Sequence, residues 1–146
     1  MSRNGFILIK NGNFSLKNIS FSMENTWNSK FLISFYESKS SFEKKKMLIN
    51  NCEFNNFSRR DDNFLYFFAV ESSDAVLINC RFTLLDISMG SLIISTDENS
   101  SYLFYLINCY IGSSYFHQVI FNLDGLSMTY IKNTIFKNVI TNGNLL

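Results

Sequence analysis

The chain has 146 residues and a formal net charge of +1 with 17% charged residues, which is enough length for one domain with a substantial core. That charge balance supplies no long-range field for capturing nucleic acid or an anionic membrane, so charge by itself names no partner. There is no proline, alanine occurs only at Ala69 and Ala75, and Asn, Ser, Phe, Ile and Lys are abundant; an Asn-cornered β repeat and a coding bias towards AT-rich codons both fit.

In chain order, Met1 to Gly5 lead into Phe6-Ile7-Leu8-Ile9, an apolar run too short for a signal-peptide core. The longest apolar stretch, Phe64 to Val70, cannot span a bilayer. The segment is therefore expected neither to carry a visible export signal nor to insert into a membrane, and a piece of a longer exported protein would look the same. Residues 1–15 read as an incomplete first coil, with Phe6, Leu8 and Phe14 alternating.

Leu16-Lys17-Asn18-Ile19-Ser20-Phe21 then opens a pattern that recurs as Ile49-Asn50-Asn51-Cys52-Glu53-Phe54, Leu77-Ile78-Asn79-Cys80-Arg81-Phe82, Leu106-Ile107-Asn108-Cys109-Tyr110-Ile111 and Ile131-Lys132-Asn133-Thr134-Ile135-Phe136. The steps between the asparagines are 33, 28, 29 and 25 residues, the spacing of a solenoid whose coils differ in loop length. In each copy the apolar residues lie two before the Asn, one after it and three after it. A straight strand sends positions an odd number apart to opposite faces, so the pattern requires a corner at the Asn, a residue that tolerates a left-handed backbone.

Stacking the copies about 4.8 Å apart turns positions into columns. Asn18, Asn51, Asn79, Asn108 and Asn133 are expected to form an amide ladder, with Asn18 buried in it. Phe21, Phe54, Phe82, Ile111 and Phe136 form an apolar stack, and Ile19, Cys52, Cys80, Cys109 and Thr134 a slimmer one. The cysteines point the same way at strand spacing, wider than the ~3.8 Å that a disulfide prefers between Cβ atoms. They are read as buried thiols, since no close Cys pair or nearby His supplies a ligand set.

After each motif come a polar loop, an apolar run (Phe31 to Phe35, Leu65 to Val70, Leu92 to Ile94, Val119 to Phe121), a turn and the strand entering the next motif, giving three short strands per coil. Lys44-Lys45-Lys46 and Ser58 to Asn63 read as solvated charged turns. Residues 139–146 read as the uncapped start of a further coil. Terminal repeats need a polar cover, so the assembly is expected to continue or to self-associate end to end.

The motif resembles the right-handed parallel β-helices of the pectin-lyase-like class, which carry an Asn ladder at one bend and a stacked aliphatic or aromatic interior. The resemblance covers roughly residues 6 to 140 and implies an all-β fold of about five coils in a single domain over 1–146. It is specific for fold and nearly silent on function. The hydrolases of that class carry paired aspartates near a Gly-His-Gly turn with Arg-x-Lys, and the lyases carry calcium-binding aspartates with a catalytic Arg or Lys. Here His117 lacks flanking glycines and Asp61-Asp62 follow two arginines with no matching second element. Acids recur at Glu37, Glu71, Asp97 with Glu98, and Asp124, either as a carboxylate stripe for a hard cation or as ordinary turn residues; the turn reading is the better match, because Asp and Glu mix and the register drifts.

No catalytic residue, metal ligand or cofactor is assigned. Outward columns Ser20, Glu53, Arg81, Tyr110, Ile135 and Lys17, Asn50, Ile78, Ile107, Lys132 place Ile78 beside Ile107 as a binding strip, or as a face that a loop folds over. The sequons at Asn13, Asn18, Asn56 and Asn99 are expected by chance in a chain this rich in Asn and Ser. The expectation is a non-enzymatic segment of a larger surface or secreted adhesion or binding protein, located outside the cell or at its surface. Its partner would be a glycan or a cell-surface protein, and not nucleic acid. The alternative is a polysaccharide-active or carbohydrate-binding domain.

Overall fold

The computed structural model describes residues 5–10, 12–22, 31–36, 45–59, 65–71, 73–95, 103–123 and 128–143. The first winding comprises β1 (Gly5–Lys10), β2 (Phe14–Lys17) and β3 (Ser20–Ser22). The second comprises β4 (Phe31–Tyr36), β5 (Lys46–Asn50) and β6 (Glu53–Arg59), and the third β7 (Leu65–Glu71), β8 (Asp74–Ile78) and β9 (Arg81–Ile87). Then follow β10 (Gly90–Ser95), β11 (Leu103–Ile107) and β12 (Tyr110–Phe116), and finally β13 (Phe121–Leu123), β14 (Met128–Lys132) and β15 (Ile135–Thr141). Every strand pairs in parallel with the one three places along, which makes three five-stranded sheets, β1-β4-β7-β10-β13, β2-β5-β8-β11-β14 and β3-β6-β9-β12-β15. The protein is an all-β parallel solenoid. Counted by windings with a neighbour on both sides, the stack is three deep, against about five coils counted by motif in the sequence.

The asparagine corners join the second sheet to the third. Asn18, Asn51, Asn79, Asn108 and Asn133 all have positive φ, between 50° and 57°, the left-handed conformation in which Asn is the least costly residue with a side chain. The ladder of backbone hydrogen bonds runs through the corner. Each of the first four Asn N–H groups donates to the carbonyl just before the next corner, as Asn51 does to Ile78 at 2.9 Å and Asn79 to Ile107 at 2.9 Å. The N–H two residues on donates back to the preceding winding, as Arg81 does to Cys52 at 2.9 Å.

Inside, the stack predicted on Phe54 and Phe82 is present. Phe21 and Phe54 lie 5.2 Å apart and Phe54 and Phe82 4.9 Å apart, both 6° from parallel. Phe67 and Phe68 meet Phe54 and Phe82 edge-on from the first sheet, an arrangement that the ring quadrupole favours. Two parts of the sequence reading are corrected. Leu8 faces outward and is exposed, while Ile7 and Ile9 pack on the core; Ile7 pairs with the fully buried Ile33, and in a run apolar at every position only that register decides the face. Residues 139–141, read as opening a further coil, are the end of β15.

A second column of left-handed residues went unseen in the sequence. Asn56, Leu84, Ser113 and Asn138 have φ of 59°, 55°, 51° and 54°, each five residues after a corner Asn. They bend the third sheet's strands and reset the alternation again, so that Phe54 and Phe57, or Phe82 and Leu85, both face inward. Asparagine holds two of these four positions and Leu or Ser the others, so no repeat of residue type announces the bend.

Candidate functional site

The corner column also explains the cysteines. After a left-handed residue the next N–H turns away from the regular ladder, and the following winding supplies an acceptor from a small side chain. The Cys80 N–H donates to Cys109 Sγ at 3.4 Å, the Cys109 N–H to Thr134 Oγ1 at 3.3 Å, and, at the second bend, the Leu85 N–H to Ser114 Oγ at 3.2 Å. Each thiol in turn donates to the carbonyl two residues before it and to one in the preceding winding: Cys80 to Ile78 at 3.3 Å and Ile49 at 3.5 Å, Cys109 to Ile107 at 3.3 Å and Leu77 at 3.6 Å. Thr134 makes the same pair of bonds with its hydroxyl.

Cys52, Cys80 and Cys109 are buried free thiols. Burial pushes the Cys52 thiol above its ordinary range. Its hydrogen bond with Cys109 and then burial do the same for Cys80. The same hydrogen bond acts in the opposite direction on Cys109 and lowers it, whereas at Cys52 and Cys80 a protonated, enclosed thiol is a poor nucleophile and a poor metal ligand.

The corner asparagines do not fill the interior. All five are exposed, Asn18 included, because a left-handed corner residue turns its side chain out of the bend. Their amides form a partial ladder. Asn51 Nδ2 donates to Asn18 Oδ1 at 2.8 Å and Asn108 Nδ2 to Asn79 Oδ1 at 3.4 Å, whereas Asn79 Nδ2 reaches Asn50 Oδ1 at 3.4 Å. The expected continuous ladder is thus broken where Asn50 offers a competing acceptor.

Beside this ladder runs a shallow groove of about 450 Å³ along the first three windings, lined by Asn18, Ile19, Ser20, Asn51, Cys52, Glu53, Asn79 and Arg81. On its flank Arg81 bridges windings, with Nε 4.0 Å from Glu53 Oε1 and its guanidinium carbon 4.4 Å from the centre of the Tyr110 ring. Gly112 makes that stack possible, since a Cβ there would sit 2.4 Å from the Tyr110 ring. The predicted outward column Ser20, Glu53, Arg81, Tyr110, Ile135 is in register strand by strand, and so is Lys17, Asn50, Ile78, Ile107, Lys132. Ile78 and Ile107 are half-buried neighbours.

His117 lies with Nε2 3.8 Å from Asp86 Oδ1 and its ring 4.1 Å from that of Tyr115. Among the described residues no group of three or more His, Cys, Asp or Glu could hold a metal ion, and no helix is long and apolar enough to cross a membrane. The acids at Glu37, Asp97, Glu98 and Asp124, the loop 60–63 and Lys44 lie outside the described residues, and of Glu71 only the backbone, in β7, is described. A scan against protein-family models finds no match, and searches of curated proteins and of solved structures likewise find none.

Proposed function

We propose that the chain is a non-enzymatic β-solenoid segment of a larger surface or secreted binding protein, contacting its partner through the corner groove. One observation carries the reading: exposed amides, a carboxylate and a guanidinium stand in register on a backbone bonded to its neighbouring windings at each corner Asn N–H and at the N–H two residues on. Polar groups at fixed strand spacing suit a ligand with many hydroxyl or amide groups, because a rigid surface loses little entropy on binding. A glycan or the polar surface of another protein meets that description.

The second reading, a polysaccharide-active relative of the pectin-lyase-like class, draws on the pairing of His117 with Asp86 as an acid–base couple. Titrating the full chain with oligogalacturonate while following backbone amide signals separates the two. Shifts confined to Asn51, Glu53, Asn79 and Arg81, with the oligosaccharide recovered intact, support binding without turnover. Shortened or unsaturated products that disappear in His117→Gln support the enzyme and overturn the binding reading.

A further inference from the structure

The two ends of the stack lack a cover that its middle has. Among the described residues β13, β14 and β15 each pair on one side only, with β10, β11 and β12, and at the opposite end β1, β2 and β3 pair only with β4, β5 and β6. Each end therefore presents three strand edges whose N–H and C=O groups point along the stack axis. The inward residues there are missing one neighbouring winding. Ile131 is 36% exposed, whereas Leu77 and Leu106 in the same column are fully buried, and Leu123 and Phe136 are only partly buried. At the other end Ile7, Ile9 and Phe21 are likewise partly buried.

We infer that the β13-β14-β15 end docks on the β1-β2-β3 end of a second copy, so that the chain assembles head to tail. The contact continues one that the chain already makes four times, since each winding lies on the next with the same columns in register. Carried across the junction, these columns set Phe121 on Ile7, Leu123 on Ile9, Ile131 on Leu16 and Phe136 on Phe21 of the second copy, large apolar on large apolar each time. The polar groups match as well. No described carbonyl accepts from the Asn133 N–H, which would donate to the second copy's Lys17 carbonyl as Asn18 does to Asn50. The second copy's Ser20 N–H would donate to the Thr134 carbonyl as Ile135 does to Cys109, and its Asn18 amide to Asn133 as Asn51 does to Asn18. Joining two like ends reverses the strand direction and continues none of these bonds. One pair opposes the junction. Lys132 and Lys17 are exposed and share a column, so they would stand at strand spacing, about 4.8 Å apart, where like charges repel and salt screens them. Because the two docking faces differ and the stack grows along its own axis, copies add in an open series. The inference is independent of the corner groove, which lies on the flank.

The test is sedimentation velocity of the full chain over a range of concentrations at low and high salt, with electron microscopy of the most concentrated samples. The sedimentation coefficient should rise with concentration past that of a dimer, more so at high salt, and unbranched filaments one stack wide should be visible. Lys17→Glu alone, or Lys132→Glu alone, should tighten association roughly two- to fivefold at low salt and reverse its salt dependence, because opposite charges then meet across the junction. Lys17→Glu with Lys132→Glu brings like charges together again and should restore the weaker, salt-promoted association of the parent. Both positions are exposed, so the circular dichroism spectrum should stay that of the parent in every variant. A chain that remains monomeric at every concentration and salt overturns the proposal. So does association that stops at a dimer, which joins like surfaces, and so does equal association of the parent and the single variants at low salt, which places the contact away from the ends. None of these results bears on the groove, whose lining residues are unchanged in every variant.

Discussion

At Cys109 a single side chain meets three demands: small volume, a donor for two carbonyls and an acceptor for the Cys80 N–H that the corner displaces. Thr134 meets the same demands with oxygen, so Cys109→Thr should change stability by less than about 1 kcal/mol. Cys109→Val should cost roughly 1–3 kcal/mol by leaving the buried Cys80 N–H without an acceptor. Urea unfolding of the two variants checks both values. Leu84 presents the opposite case. It holds a left-handed conformation at φ 55° while 55% exposed, and that conformation costs a residue with a Cβ about 1–2 kcal/mol. Leu84→Asn, the residue used at 56 and 138, should raise the melting temperature; an unchanged or lower value would mean that Leu84 is held by contacts worth more than the backbone strain.

At the scale of strands and columns, burial on both sides sets the energetics. Phe82 is fully buried and sits between neighbouring windings, whereas Phe21 is only partly buried, with Phe54 as its stacked neighbour. Phe82→Ala should therefore cost about 3–5 kcal/mol, and Phe21→Ala roughly half of that or less; equal losses measured by denaturant unfolding would contradict the stack. Cys52 and Cys80 couple stability to pH. The folded values of Cys52 and Cys80 are raised, so above about pH 8.5 the unfolded chain releases protons that the folded chain keeps. Their contribution is complete below that pH and declines as pH rises, and a Cys52→Ser/Cys80→Ser variant should lose less stability than the parent between neutral and alkaline pH. The columns were legible because five copies share one Asn and a large apolar residue three positions after it. The second bend was not, since a conformation held by Asn, Leu, Ser and Asn leaves no common letter. Nor was the break in the amide ladder, because Asn50 and Asn51 are adjacent and side-chain direction alone decides which amide Asn79 reaches. The groove was only half legible: its outward columns could be written down in register, but Arg81 reaching from Glu53 to Tyr110 over Gly112 depends on side-chain direction.

For the whole molecule, a parallel stack in which each winding contacts its neighbours divides stability into layers plus nearest-neighbour interfaces. The middle windings, covered on both sides, should open least and the outer ones most. All of this depends on one arrangement, the N–H of each of the first four corner asparagines bonded to the carbonyl just before the next corner. Native-state hydrogen exchange followed by NMR at the N–H groups of Asn51, Asn79 and Asn108 tests it most directly. Protection should equal that of the neighbouring strand amides at Leu77 and Leu106, because each of these corner N–H groups is bonded to the next winding. Exchange at those three asparagines as fast as in an open loop would contradict it.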